Sequence, residues 1–242
     1  MAPLAAIVLG AFAVEATLGF GATVIAAALG VFLLPIDELL PVFVPANVAL
    51  SATLVVRHHR QIDRGLLLRG VLPLMALGMP FGMVAARFVD GRRLETIFGG
   101  IVIALAAPEL ARALRGHAPA DRPALPAGVR GAMLLAAGVV HGTFATGGPL
   151  VVWVADRVGL DKGRFRATLA ALWLILGLVL IASFAAAGRL SAATVQRSAL
   201  LVVPVVAGVV AGEWLHTRVA ERPFRLAVLG LLCVAGVVIA LR

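Results

Sequence analysis

Apolar residues dominate the chain, and clusters of charged residues interrupt them at intervals. These clusters separate eight apolar segments, six of which have the length of one membrane-spanning helix, about 17–25 residues. The segments run about 3–34, 39–56, 66–86, 94–111, 129–155, 167–187, 198–217 and 224–241. The alternating pattern of a membrane β-barrel is absent from the sequence. The pattern therefore predicts an all-α polytopic membrane protein.

The first and fifth segments are longer than one span needs, and both contain glycine near the middle. The stretches are TLGFGAT, from Thr17 to Thr23, and TFATGGP, from Thr143 to Pro149. Such a segment is either one kinked helix or two half-helices that enter and leave on the same side. Eight full spans would place 11 of the 21 Lys and Arg residues inside and 10 outside, whereas two re-entrant hairpins with six spans give 15 and 6. Because Lys and Arg favour the cytoplasmic side, the counts favour hairpins.

The two halves of the chain resemble each other. The alignment sets Glu15 against His141, Thr17 against Thr143 and Gly21 against Gly147, and the pair Gly78 and Gly82 against Gly208 and Gly212. We interpret both glycine pairs as sites of close helix packing. Each half is then a glycine-broken hairpin followed by three spans, and an odd number of crossings inverts the second half. This predicts an N-terminal repeat at 1–115, a cytoplasmic linker at 116–128 and a C-terminal repeat at 129–242.

The broken segments are candidate anion sites. Pro149 suits the first turn of a half-helix, because its missing N–H has no partner there. The backbone N–H groups ahead of such a helix carry partial positive charge and bind anions. Threonine hydroxyls and the amide of Asn47, one turn before Ser51 on the second span, could add donors, although interhelical hydrogen bonding is an equal alternative for Asn47. The predicted substrate-binding residues are Thr17, Gly19, Gly21, Asn47, Thr143, Thr146, Gly147, Gly148 and Pro149.

Two ionisable residues are predicted to couple protons to transport. Glu15 is an acidic residue far from any charged cluster, and an ionisable group inside a membrane is costly and often functional. A neutral carboxylic acid bonded to a carbonyl is the structural alternative. His141 takes the matching position in the second half, and a purely structural imidazole is an equally open reading.

Composition removes several classes of function. The chain is 62% hydrophobic and 14% charged, so the net charge of +9 indicates membrane topology, not nucleic-acid binding. The lone cysteine, Cys233, excludes a disulfide framework, and the sequence predicts no metal site, no cofactor and no nucleotide-binding motif. Arg166, at the entrance to a span, could attract anions, but a topology signal is the favoured interpretation. Trp153, Trp173 and Trp214 are interpreted as interfacial anchors or packing residues.

The stretches GVVHGTFATGGPLVVW and EATLGFGATVIAAALGVFLLP resemble the TauE/SafE sulfite exporter family, also called the toluene sulfonate uptake permease family. The resemblance extends in pattern over most of the chain. It implies a carrier in the bacterial cytoplasmic membrane for small sulfur-containing or carboxylate anions, such as sulfite and organosulfonates like sulfoacetate, driven by an ion or proton gradient. Matched by motif, Gly147, Gly148 and Pro149 would bind the anion in the second half, with Gly19 and Gly21 in the first.

We therefore predict a secondary transporter, not an enzyme, with a midplane site and alternating access. Its partners would be a small anion, protons and the lipid bilayer. One alternative is an anion channel or uniporter of the same architecture. Another is an intramembrane enzyme, with Glu15 and His141 as an acid–base pair, or an assembly scaffold. The oligomeric state is left open, with a homodimer formed through glycine-faced helices as one alternative.

Overall fold

The computed structural model describes residues 1–18, 21–115, 125–155, 161–216, 218 and 221–241. Within these ranges the chain forms ten α-helices and no strand. They are α1 Ala2–Leu18, α2 Ala22–Gly30, α3 Ile36–His58, α4 Leu72–Phe88, α5 Gly91–Leu114, α6 Ala127–Phe144, α7 Gly148–Ala155, α8 Lys162–Ala186, α9 Ala192–His216 and α10 Glu221–Leu241. A 3₁₀ turn at His59–Gln61 and a π-helical turn at Leu66–Val71 connect α3 to α4. The predicted linker, 116–128, lies mostly outside the described residues.

Both glycine-centred segments break into two helices, as the sequence predicts. The first segment divides into α1 and α2, and the fifth into α6 and α7. The two helices of each broken segment pack against each other. Three long helices follow each segment, α3 to α5 in the first half and α8 to α10 in the second. The succession of helices is therefore the same in the two halves.

Six of the described helices are long and apolar enough to cross a membrane. They are Ile36–Gln61, Leu66–Phe88, Gly91–Leu114, Ala127–Phe144, Gly163–Ala186 and Ala192–Gly212. Two shorter apolar helices cover Ala2–Ala16 and Leu226–Leu241. The six spans predicted with two hairpins include the C-terminal segment, about 224–241, and do not include α6. Among the described helices α6 meets the criteria for a span and the C-terminal helix does not. At 1.5 Å per residue, the 18 residues of α6 are about 27 Å long, close to the hydrocarbon thickness of about 30 Å.

Glycines bring α4 and α6 into backbone contact. A Cβ atom at Gly78 or Gly82 of α4 would overlap a carbonyl oxygen of α6, and one at Gly138 or Gly142 of α6 would overlap a carbonyl oxygen of α4. Positions on the two helices rise together along the contact, so the helices run parallel. The predicted packing role of the first glycine pair is confirmed.

The second glycine pair brings α9 into backbone contact with α1. A Cβ atom at Gly208 would overlap the carbonyl oxygen of Leu9, and one at Gly212 would overlap that of Ala13. These helices also run parallel. In each case the fourth helix of one half packs against the first helix of the other, so the halves interlock and do not sit side by side.

The helices α3 and α8 cross in opposite directions. At one end, Arg189 donates a hydrogen bond to the carbonyl oxygen of Asp37, and Val48 contacts Gly177 in the middle. At the other end, Arg164 Nη2 lies 2.9 Å from Asp63 Oδ2. The connection from α3 to α4 and the start of α8 therefore lie at the same end of the helix bundle.

The last helix of each half also pairs with its counterpart. The helices α5 and α10 approach at Gly99, where a Cβ atom would lie 2.7 Å from the carbonyl oxygen of Gly236 and 2.8 Å from the backbone nitrogen of Ala240. A Cβ atom at Gly236 would lie 2.8 Å from Cγ1 of Ile103. Positions rise on α5 as they fall on α10, so this pair is antiparallel.

Candidate functional site

At the first helix break, between α1 and α2, a carboxyl group accepts a hydrogen bond from the backbone. Helix α1 ends at Leu18, and α2 begins at Ala22 after Gly21, whose φ of 109° is left-handed and suits glycine. The backbone N–H of Ala22 donates a 2.8 Å hydrogen bond to Oε2 of Glu15. A helix begins with N–H groups that have no partner inside the helix. Glu15 therefore satisfies one of them from the preceding helix, and places its charge at the positive end of α2.

Glu15 borders a pocket between the two halves of the chain. The empty volume of the pocket, including its open mouth, is about 440 Å³. Arg166 also borders it, and interacts electrostatically with Glu15. The lining residues come from α1 and α3 of the first half and from α8 and α9 of the second: Phe12, Glu15, Ala16, Leu50, Ser51, Leu54, Arg166, Leu169, Ala170, Trp173 and Val209. The pocket thus brings a carboxyl group and a guanidinium group together, and the same carboxyl group bonds the N-terminus of α2.

The second helix break is bridged by an imidazole. Helix α6 ends at Phe144, and Ala145 adopts a left-handed conformation with φ 55° while its N–H donates to the carbonyl oxygen of His141 at 2.8 Å. The backbone N–H of Gly147 then donates to Nδ1 of His141 at 3.4 Å. A Cβ atom at Gly147 would lie 2.5 Å from the carbonyl oxygen of Ala137. Since Ala137 lies two turns before the end of α6, the chain folds back at this break.

The two breaks are built alike. In each, an ionisable side chain of the longer helix accepts a hydrogen bond from the backbone at the start of the shorter helix. Glu15 does so over seven residues and His141 over six. These are the two residues that the sequence alignment of the halves sets opposite each other.

Comparison with known proteins decides the family. The family model described as sulfite exporter TauE/SafE matches residues 4–239. The chain belongs to the TauE/SafE family. No curated protein and no solved structure matches the chain at a significant level. Membership, together with six helices of spanning length, makes the chain a multi-pass membrane protein of an anion-exporter type of transporter.

In this TauE/SafE protein, most of the predicted binding residues that the structure describes lie at the two helix breaks. Thr146, Gly147, Gly148 and Pro149 lie at the second break, where Thr146 is only 4% exposed and α7 begins at Gly148. Gly21 lies at the first break. Gly19 is outside the described residues, and the side chain of Thr17 is not described.

Two predicted residues lie elsewhere. The hydroxyl of Thr143 is 3.0 Å from the carbonyl oxygen of Val139 and 3.2 Å from that of Gly82, so it bonds at the contact between α4 and α6. Asn47 is half-buried on α3 and is not among the residues that line the pocket, whereas Ser51, one turn later, lines it. The site roles of these two residues, like those of the other predicted binding residues, stay predictions.

Neither Arg166 nor Trp173 is among the predicted binding residues. The sequence favours a topology role for the arginine, with anion attraction as the alternative, and an anchor or packing role for the tryptophan, yet both line the pocket. A periodicity signal was available, because Arg166, Leu169, Ala170 and Trp173 have the spacing of one helix face. Arg166 supplies a charge at the start of this face, and apolar residues of a span follow it. A charged side chain in that position is a candidate for a buried charge.

Proposed function

We propose that the chain is a proton-coupled secondary transporter for small sulfur oxyanions such as sulfite. The single observation that carries the proposal is that Glu15, which bonds the N-terminus of α2, lines a pocket together with Arg166. The pocket lies between the halves, where transporters of this build bind substrate. The chemistry extends to organosulfonates and small carboxylates, which carry the same kind of anionic oxygen.

The donors in the pocket fit an oxyanion. Arginine presents a planar fork of N–H donors that matches carboxylate-like and phosphate-like groups, and a helix N-terminus favours negative charge. Ionised Glu15 engages both groups, so it competes with a substrate anion for them. Protonation removes the charge of Glu15 and leaves the donors to the substrate. Proton and anion would therefore bind together, and this linkage is the basis of the coupling.

Alternating access would follow from an inverted arrangement of the halves. A two-fold axis in the membrane plane makes equivalent helices antiparallel, and the pairs α3 with α8 and α5 with α10 are antiparallel. Eight full spans would put Asp63 and Arg164 on opposite sides of the membrane, whereas two hairpins put them on the same side, in accord with their 2.9 Å contact. We propose that the repeats rock about the pocket, opening it to each side in turn.

Uptake of radiolabelled sulfite into proteoliposomes tests the coupling. We expect saturable uptake that an inward proton gradient accelerates. In Glu15→Gln, a permanently uncharged side chain should abolish the response to the gradient, while exchange of labelled for unlabelled sulfite continues. Glu38→Gln, which changes an exposed acid at the start of α3, is the matched control and should behave as the wild type.

Two results would count against the proposal. Wild-type flux that neither saturates nor responds to the gradient would indicate a channel or uniporter. Gradient-driven uptake that persists in Glu15→Gln would remove the proton-coupling role of Glu15. Arg166→Gln should raise KM for sulfite by about tenfold or more, as expected for a lost charge-assisted hydrogen bond.

A further inference from the structure

Two buried polar atoms at the second break have no hydrogen-bond partner within the described residues. They are Nε2 of His141 and Oγ1 of Thr146. Their side chains are 5% and 4% exposed. Buried polar atoms in folded proteins are nearly always bonded to protein, water or ligand. Two unbonded atoms on one break therefore indicate that something with hydrogen-bonding capacity occupies this place.

The hydrogen bond from Gly147 fixes what His141 can offer. Because Nδ1 accepts the N–H of Gly147, a neutral imidazole carries its proton on Nε2. Nε2 is then a donor, and the hydroxyl of Thr146 can donate as well. A group that bonds Nε2 must be an acceptor, and such an acceptor can also take the hydrogen bond of the Thr146 hydroxyl. The N-terminus of α7, which starts two residues after Thr146, favours an acceptor that is negatively charged.

Trp173 contacts both the second break and the Glu15 pocket. Its ring stacks on the ring of His141, with centroids 5.4 Å apart and an interplanar angle of 24°. The same side chain lines the pocket that contains Glu15 and Arg166. It also lies beside the start of α7, since a Cβ atom at Gly148 would be 3.8 Å from its Cζ2. One aromatic side chain thus contacts the His141 imidazole and also lines the Glu15 pocket.

We propose that His141 and Thr146 form a second, inner site for the transported oxyanion, with Trp173 as the partition between the two sites. The inference rests on the proposed transport of a sulfur oxyanion. His141 acts in it as a neutral hydrogen-bond donor through Nε2, held in place by Gly147, and does not carry the transported proton. The anion moves from the Glu15 pocket to the inner site when the indole moves aside.

Two pairs of variants isolate the two donors. Asparagine at position 141 can still accept from Gly147 but lacks the donor at the Nε2 position, whereas glutamine places an amide N–H near that position. Valine at position 146 matches threonine in shape and lacks the hydroxyl, whereas serine retains it. The readout is sulfite binding by titration calorimetry to the purified full chain in detergent, with folding checked by size-exclusion chromatography and melting temperature.

We expect His141→Asn and Thr146→Val each to weaken sulfite binding by about tenfold or more, the effect of one lost hydrogen bond to a charged group. His141→Gln and Thr146→Ser should stay within about threefold of the wild type, because each retains a donor. Loss of binding in both members of either pair would overturn the assignment of the donor.

The outcome also separates this inference from the proposed function. Unchanged affinity in Thr146→Val and His141→Asn, together with weakened binding in Arg166→Gln, would overturn the inner site and leave the Glu15 pocket standing; the two buried atoms would then bond water. Absence of sulfite binding in the wild type would overturn both proposals.

Discussion

Two adjacent glycines of α5 provide a test of the helix packing in which the substitution is the same and only the surroundings differ. Gly99 is buried, and a Cβ atom there would lie 2.7 Å from Gly236 O, 2.8 Å from Ala240 N and 3.2 Å from Ala240 Cα. Gly100 is exposed and has open space within 4 Å of the same atom. All the atoms that Gly99 would meet belong to the backbone of α10, so no side chain can rotate away. We predict that Gly99→Ala destabilises the protein and that Gly100→Ala does not.

The magnitude follows from two opposing effects. Alanine gains about 0.5–1 kcal/mol over glycine inside a helix, and overpacking costs about 1–3 kcal/mol. The helix term is common to both variants, so the difference between them is the overpacking cost alone. For a chain of this size, 1 kcal/mol shifts the melting temperature by about 2–4 °C, so Gly99→Ala should melt roughly 2–12 °C below Gly100→Ala.

The measurement is the apparent melting temperature of both variants in one detergent at one heating rate, because membrane proteins of this size often unfold irreversibly. Gly236→Ala should cost less than Gly99→Ala, since one of its close contacts is the side chain of Ile103, which can adjust. Equal melting temperatures for Gly99→Ala and Gly100→Ala would refute the backbone contact between α5 and α10.

Two further predictions concern topology and helix capping. In a Cys233→Ala background, cysteines at the exposed positions Arg60 and Arg164 should be labelled from the same side of the membrane and a cysteine at exposed Ala193 from the other side; labelling of the first two from opposite sides would contradict the hairpin arrangement. Asp161→Ala should lower the free energy of unfolding by about 0.5–2 kcal/mol, because Asp161 Oδ1 accepts the N–H of Arg164 at the start of α8. Asp161→Asn should cost much less, and an equal loss in the two variants would show that the cap is not the cause.

The helix breaks could be predicted from sequence because their causes are local. The glycine clusters and Pro149 weaken helix formation where they stand, and both segments break within a few residues of them. Helix α6 was harder to classify, since its length falls near the thickness of the hydrocarbon layer. Its 18 residues are enough for a span and also suit one arm of a hairpin, so length alone does not distinguish the two.

The site could be predicted only in part because its key contacts join distant or folded-back segments. Nothing local to Glu15 specifies the bond to Ala22, which requires the start of α2 to lie beside α1. Arg166 meets Glu15 only because α8 packs against α3 of the other half. Thr143 shows the opposite case: a threonine inside a helix readily bonds the carbonyl four residues earlier, and it does so here.

The crossing of α3 and α8 has a consequence for how such a protein can be assembled. Val48 fits against Gly177, and a Cβ atom at Gly177 would overlap the valine methyl group. A branched side chain therefore needs a partner without one at this crossing. A larger side chain at position 177 would push α3 and α8 apart at this crossing. The fit between the halves thus depends on one residue from each, and α3 and α8 are not interchangeable at this point.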